Sequence, residues 1–442
     1  PPPPPPPPPL PPSPLDRVRA ALQRSPISVS SQPISVTHGE GNSFTSSLGP
    51  GVVVYPPIGN PEQATLATIP QIYGHRRELW RWPTDILLNG RALYAITSGA
   101  CGLHFRFDGA AFEIYFGGKA VAVTLVADGQ YMSSGLIRTT LDHGVPGVPL
   151  STANNFVRFD FGTRAVREIS AYIWSDLGPC AIAVAAGDTL MPWDRSGEAS
   201  FVVVADSYGG GAGPNWLNSP FWETAAQLGI PHLYSDAIGG TGYAINATYQ
   251  LTGNPALAYT ADPAYAFPGR LAKAIAAAPD LVLTSGGIND NNGILAAPYA
   301  STGEAAAGFA AAVRLYYRNL RTALPEAVLA ATGPWAPRQN TPTNSFAQAK
   351  ADTVLQALRD VGGPWVFIDN LNGGWVNSAG ASAPASGAWQ TGTGNVANPR
   401  GDGNADLYVG PDGTHPNVAG NVYLAARLAT DLRAALQALG TG

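Results

Sequence analysis

Residues 197–211 read Gly-Glu-Ala-Ser-Phe-Val-Val-Val-Ala-Asp-Ser-Tyr-Gly-Gly-Gly, and the fold is decided there. Positions 201–204 are apolar without interruption. A strand with one wet face alternates apolar and polar side chains, whereas one buried on both faces of a parallel sheet does not. Similar runs recur at 281–283, 327–331 and 365–368, with a shorter one at 231–234. Stretches with helical spacing separate them, at 220–228, 270–278, 303–324 and 346–361. Leu424, Leu428, Leu432 and Leu436 then fall four apart on one helix face, and Gly440 stands as a stop. Strands alternating with helices predict an α/β domain with a doubly wound parallel sheet over residues 197–442. Ligands on such sheets bind beyond the carboxyl ends of the strands.

Upstream the period changes to two. Leu103, Phe105 and Phe107 alternate with polar residues, with Asp108-Gly109 as a turn. Further strands are expected at 112–116, 121–126, 156–161 and 169–174, with Asp128-Gly129 as a second turn. Short alternating strands with regular turn signals predict an antiparallel β-sandwich over residues 74–196. Residues 1–73 are expected to be a tether and arm. The first fourteen are nearly all proline and read as a polyproline II spacer. The rest is rich in Ser, Pro, Gly and Thr, with one apolar run at 52–54, and reads as a mostly irregular arm lying against a neighbouring domain or a partner.

Charged residues make up 12% of the 442-residue chain, about half the usual share, and the net charge is −5. No basic stripe is present, so nucleic acid is not an expected partner. No apolar run is long enough to cross a bilayer as a helix. The chain opens on Pro1 with no signal peptide; the composition fits a secreted or extracytoplasmic protein from which a leader has been removed. Cys101 and Cys180 are too few for a disulfide framework. One bridge between them and two buried thiols are both open readings.

Ser207 leaves a buried strand and enters Tyr208-Gly209-Gly210-Gly211, a setting suited to a nucleophile because glycines let a substrate approach free backbone N–H groups. Residues 236–242 form a second glycine-rich turn after a strand, and Asn289-Asp290 follows the strand at 281–283. Asn289 can donate a side-chain N–H to a developing oxyanion, which an aspartate in its place could not. Just before the last helix stands Asp412-Gly413-Thr414-His415-Pro416. An imidazole titrates near neutrality and can take and return a proton, and an Asp three residues earlier can hold its tautomer. The other five histidines have no comparable setting. No HExxH or CxxC exists, so no metal site is expected, and this chemistry requires no cofactor.

Together these four places resemble the conserved blocks of the SGNH/GDSL hydrolase family. Ala205-Asp206-Ser207 resembles the first block, which implies Ser207 as nucleophile and as the first oxyanion donor. Gly239-Gly240 resembles the second, implying the Gly240 N–H as another donor. Gly287-Ile288-Asn289-Asp290 matches the third, GxND, implying Asn289 as the remaining donor. Asp412-Gly413-Thr414-His415 matches the DxxH block that completes the triad. Two positions depart from the pattern: Ala205 stands where the family name implies Gly, and Ala237 where many members carry a further glycine. An α/β-hydrolase would show GxSxG with acid and His well apart; here the serine sits in Ala-Asp-Ser-Tyr-Gly.

The upstream sandwich is similar to the jelly-roll domain of carbohydrate esterase family 2, through Phe105-Arg106-Phe107-Asp108-Gly109 and the stretch 159–164. That resemblance implies acetyl ester hydrolysis on carbohydrate, with an acetylated polysaccharide or oligosaccharide as substrate. Tyr208, Trp335 and Trp375 lie near strand ends and are candidate substrate contacts, with core packing as their bland alternative. The competing readings are a lipase, lysophospholipase, thioesterase or arylesterase of the same family, and an envelope or phage-tail component, either inactive or carrying this esterase.

Overall fold

The computed structural model describes most of residues 11–55, 100–138, 154–191, 197–245, 266–290, 302–335, 347–371 and 415–440. The arm is not irregular throughout. Ser13 accepts from the Asp16 N–H while the Asp16 side chain bonds back to Ser13, and Pro14 takes the first turn, so α1 (Pro14–Leu22) starts with a reciprocal cap. Its apolar face, Val18, Ala21 and Leu22, is buried. The arm continues as three strands, β1 (Ser28–Val29), β2 (Ser35–Gly41) and β3 (Val53–Tyr55).

These join a ten-stranded, largely antiparallel sheet with β4 (Ala100–Phe116), β5 (Val121–Ala127), β6 (Gln130–Tyr131), β7 (Ile137–Arg138), β8 (Asn154–Ser175), β9 (Pro179–Val184) and β10 (Thr189–Met191). Asp128-Gly129 is the expected turn: both residues have positive φ, 49° and 77°, and join β5 to β6. Asp108-Gly109 is not a turn. It lies inside β4, where Asp108 pairs with Thr189 on one side and Val166 on the other. The ladder only shifts register between Gly109 and Ala111.

The long strands β4 and β8 each serve two sets of neighbours. The first half of β8 pairs with β2 and the end of β4; its second half pairs with β5 and the start of β4. In a straight strand Phe107 and Phe112 would stand about 17 Å apart. Their ring centroids are 5.2 Å apart at 71°, so the sheet folds over itself at this register shift. Phe105, Phe107, Phe112, Ile114, Val157 and Phe159 fill the fold as one core. The connections needed to trace a jelly roll run partly through residues 139–153, outside the described set, as do the Cys101 and Cys180 side chains.

The carboxyl-terminal half carries a five-stranded parallel sheet. Its strands are β11 (Ser200–Ala205), β12 (His232–Ala237), β13 (Leu281–Ser285), β14 (Val328–Thr332) and β15 (Trp365–Ile368). The spatial order is β12-β11-β13-β14-β15, which is flavodoxin-like; the runs imply a doubly wound parallel sheet, and the resemblance to the SGNH hydrolases implies this form of it. Helices α2 (Pro220–Leu228), α3 (Phe267–Ala276), α4 (Thr302–Ala323), α5 (Ala347–Val361) and α6 (Val418–Ala438) cover it. Side chains alternate between faces along β11. Phe201, Val203 and Ala205 pack with residues of α1, α2 and α6, while Val202 and Val204 pack with residues of α3, α4 and α5. Every residue of β11, β13 and β14 is buried, which is why these runs lack polar alternation. Val126 of β5 joins the first of these cores, so the two sheets touch.

Helix α1 belongs with this half. Arg17 reaches Asp280 Oδ1 through Nε at 3.0 Å and through its terminal nitrogen at 2.5 Å. Asp280 Oδ2 accepts from the Ser200 N–H at 2.8 Å, tying α1 to the starts of β11 and β13. No helix among the described residues is long and apolar enough to cross a membrane.

Candidate active site

The register of the parallel sheet sets the site. Ala205, the last residue of β11, lies opposite Ala237 of β12 and Ser285 of β13. Ser207 therefore emerges two residues past this line, Gly240 three past it and Asn289 four past it, all on the carboxyl edge. Asp206 Oδ1 accepts from the Tyr208 N–H at 3.0 Å and the Asp206 carbonyl from the Gly209 N–H at 3.0 Å, which turns the chain at Ser207. The serine is half-buried between a buried Asp206 and a buried Tyr208.

His415 arrives from the far end of the chain. Asn417 caps α6 by accepting from the Gly420 N–H at 2.8 Å, fixing the helix start two residues after the histidine. His415 Nε2 lies 2.8 Å from Ser207 Oγ. That is the distance a general base needs from a hydroxyl it deprotonates. Asp412 lies outside the described residues, as does Trp375.

The loop after β12 is shaped by Asp290. This buried carboxylate accepts from three successive backbone N–H groups, those of Tyr243, Ala244 and Ile245, at 2.9, 2.9 and 3.1 Å. A Cβ on Gly242 would stand 2.1 Å from Asp290 Oδ2, so only glycine admits the carboxylate so close. Gly240 has φ 73°, a left-handed conformation that glycine adopts without strain. Asn289 Nδ2 donates to the Thr241 carbonyl at 2.9 Å. A carboxamide nitrogen carries two hydrogens, so this bond orients the second, which is available to another acceptor.

Two charged residues at the site escaped the sequence reading. Arg270 of α3 is buried and spans the ends of β11 and β12. Lys350 of α5 is buried and donates to the Gly287 carbonyl at 3.0 Å, two residues before Asn289. Neither carries a motif. Each reads as an ordinary polar position on a helix, and only the tertiary packing turns it inward. Burial draws the Lys350 ammonium down to about 8, opposed by the Asp290 charge. Burial also raises Asp290, opposed by Lys350 and the three N–H groups.

Of the aromatic candidates, Tyr208 and Trp335 are described, and both pack inside the core. Tyr208 and Trp335 have no exposed surface and stack on each other, with centroids 5.5 Å apart and planes 11° apart. Trp335 Nε1 donates to Ser285 Oγ at 3.0 Å, which satisfies its polar atom inside the core. The Tyr208 ring lies beside His415, with ring centroids 5.8 Å apart, and Trp335 stacks on Tyr208. The Tyr208 and Trp335 side chains are both buried by the folded chain, which favours core packing over substrate contact. No described cluster of His, Cys, Asp and Glu could hold a metal ion.

The model of the GDSL-like lipase/acylhydrolase family matches residues 204–428, just over half of the chain. No curated protein matches the chain. Among solved structures, a salicylyl-acyltransferase from a tetracycline biosynthetic pathway aligns at 16% identity and TM-score 0.49, covering 90% of this chain and 99% of that one. A family two carbohydrate esterase from Clostridium thermocellum aligns at 16% identity and TM-score 0.44, covering 77% and 94%. One from Cellvibrio japonicus aligns at 13% identity and TM-score 0.43, covering 91% and 99%.

Proposed function

From its place in the GDSL-like lipase/acylhydrolase family, to which this chain belongs, we infer that this carboxylic ester hydrolase cleaves short acyl esters with Ser207, His415 and Asp412. The observation that carries the reading is the 2.8 Å approach of His415 Nε2 to Ser207 Oγ at the carboxyl edge of the sheet. His415 takes the hydroxyl proton as Oγ attacks the ester carbonyl. The resulting oxyanion is held by the backbone N–H groups of Ser207 and Gly240 and by the Asn289 amide. His415 then passes its proton to the leaving alkoxide oxygen, which departs as the alcohol and leaves an acyl-enzyme. Water, deprotonated by the same imidazole, attacks that acyl group and frees Ser207. Asp412 holds the imidazole tautomer.

The preferred acyl group is acetyl, and the natural substrate is an acetylated polysaccharide or oligosaccharide outside the cytoplasm. Composition supports this. Beyond the oxyanion donor Asn289 and the buried Asp290, residues 291 and 292 are both Asn, and 378–398 are mostly Gly, Ala, Ser, Thr and Asn. Such segments offer hydrogen bonds to hydroxyls and little apolar wall, whereas holding a long acyl chain needs burial at about 0.8 kcal/mol per CH₂.

The test is kcat/KM across p-nitrophenyl acetate, butyrate, octanoate and palmitate, in the wild type and in Ser207→Ala. A fall from acetate onward, abolished by the substitution, is expected. A maximum at octanoate or longer moves the function to lipid esters, and near-normal turnover by Ser207→Ala removes the serine from the mechanism.

A further inference from the structure

The carboxyl ends of parallel strands present backbone carbonyls that run out of ladder partners, and buried carbonyls require donors. At the ends of β11 and β12 those donors come from one side chain. Arg270 is 1% exposed. One terminal nitrogen donates to the Asp236 carbonyl at 2.6 Å and to Asp236 Oδ1 at 3.2 Å. The other donates to the Ala205 carbonyl at 3.0 Å and to Thr241 Oγ1 at 3.1 Å. The guanidinium carbon also sits 5.0 Å from the centroid of the Phe267 ring, which holds the fork from its own helix.

Each acceptor belongs to a different part of the catalytic edge. Ala205 is two residues before Ser207. Asp236 is the next-to-last residue of β12, the strand that leads into the Gly240 loop. Thr241 follows Gly240, and its carbonyl is the atom that orients Asn289. We propose that Arg270 is the positioning residue of the oxyanion hole, a buried clamp that fixes the separation of the Ser207, Gly240 and Asn289 donors. The guanidinium touches none of the reacting atoms. Its planar fork spans three segments at once, which a single ammonium cannot do. The proposal rests on the hydrolase reading above for its catalytic consequence, and on the hydrogen bonds alone for the clamp.

The clamp and the chemistry are tested separately in Arg270→Lys and Thr241→Val, both milder than deleting the guanidinium. Amide hydrogen exchange reports the clamp without any substrate. Exchange across residues 239–245 is expected to quicken in both variants, while exchange in β14 stays at the wild-type rate. Kinetics are measured per active serine, titrated with a fluorophosphonate, so that unfolded molecules do not count. Misplacing donors by a fraction of an ångström to an ångström lowers turnover by up to about 10²-fold. Arg270→Lys is therefore expected to lose about 10²-fold in kcat, with KM changed less than about 3-fold, and Thr241→Val about 10-fold. Unchanged exchange at 239–245 overturns the clamp whatever the activity. Faster exchange with normal kcat, or a loss confined to KM, overturns the positioning role. Faster exchange in a protein whose wild type cleaves no ester leaves the clamp standing and removes the hydrolase reading.

Discussion

Replacing Asp206 by Asn tests how the fold treats the carboxyl beside its nucleophile. The side chain is fully buried, and Oδ2 has no hydrogen-bond partner among the described residues. Burial pushes the carboxyl from its usual 3.8 up to about 7, with the Asp290 charge adding to the rise and the Tyr208 N–H and Arg270 opposing it. The folded state thus holds this proton more tightly than the unfolded chain does. The stability this contributes is full below about pH 4 and is lost as pH climbs through about 7. At about 1.4 kcal/mol per pH unit, the interval between 3.8 and about 7 amounts to about 4 kcal/mol. An Asn keeps the Oδ1 acceptor for Tyr208 and cannot ionise. Wild type and Asp206→Asn should match in urea midpoint near pH 4. The variant should then gain steadily, up to about 4 kcal/mol by pH 8. Asp290 titrates in both proteins, so the difference between the two curves reports Asp206 together with its coupling to Asp290. Parallel curves from pH 4 to 8 would show that the carboxyl ionises at its ordinary value, and the argument from burial would be wrong.

Asn289→Ala should lower kcat by about 10²–10³-fold, because it removes an oxyanion donor and the bond to the Thr241 carbonyl together; a change in KM alone would make Asn289 a substrate contact. Gly242→Ala drives a Cβ against Asp290 and should cost about 1–3 kcal/mol, measured as a lowered Tm; an unchanged Tm would mean the loop is not held as tightly as its three hydrogen bonds imply. Trp335→Ala should cost about 3–5 kcal/mol with little effect on KM. A large rise in KM at unchanged stability would return Trp335 to the substrate wall.

The parallel half was legible because its signals are local. The run at 365–368 is β15 to the residue, and the helix expected at 220–228 is α2. Ser207 and His415 were legible as a pair only through the resemblance of two short motifs, 208 residues apart, to the blocks of the hydrolase family. Helix α1 carried a readable signal, Ser13 and Asp16 around Pro14, but it adjoins a proline run and reads as its continuation. The Asp108-Gly109 dipeptide misled for the opposite reason. Its local preference for a turn yields to strands paired on both sides. The burial of Arg270 and Lys350 depends on carbonyls contributed by distant strand ends, which no window of sequence contains.

The seating of α1 on α6 has a consequence for how this protein comes into being. Arg433 donates to the Leu22 carbonyl across 411 positions of chain. Val18, Ala21 and Leu22 share a core with Leu424, Leu428 and Leu432. Contacts of such separation close late, because a long loop must be ordered before they form. During synthesis, the helix made early waits with part of its apolar face uncovered until α6 has left the ribosome, since β11 and α2 supply only the rest of its core. Ser207 likewise waits for the imidazole that bonds it. A nascent chain stalled before residue 415 carries the serine without that imidazole, and reactivity and the closing of the core arrive together with the same late segment.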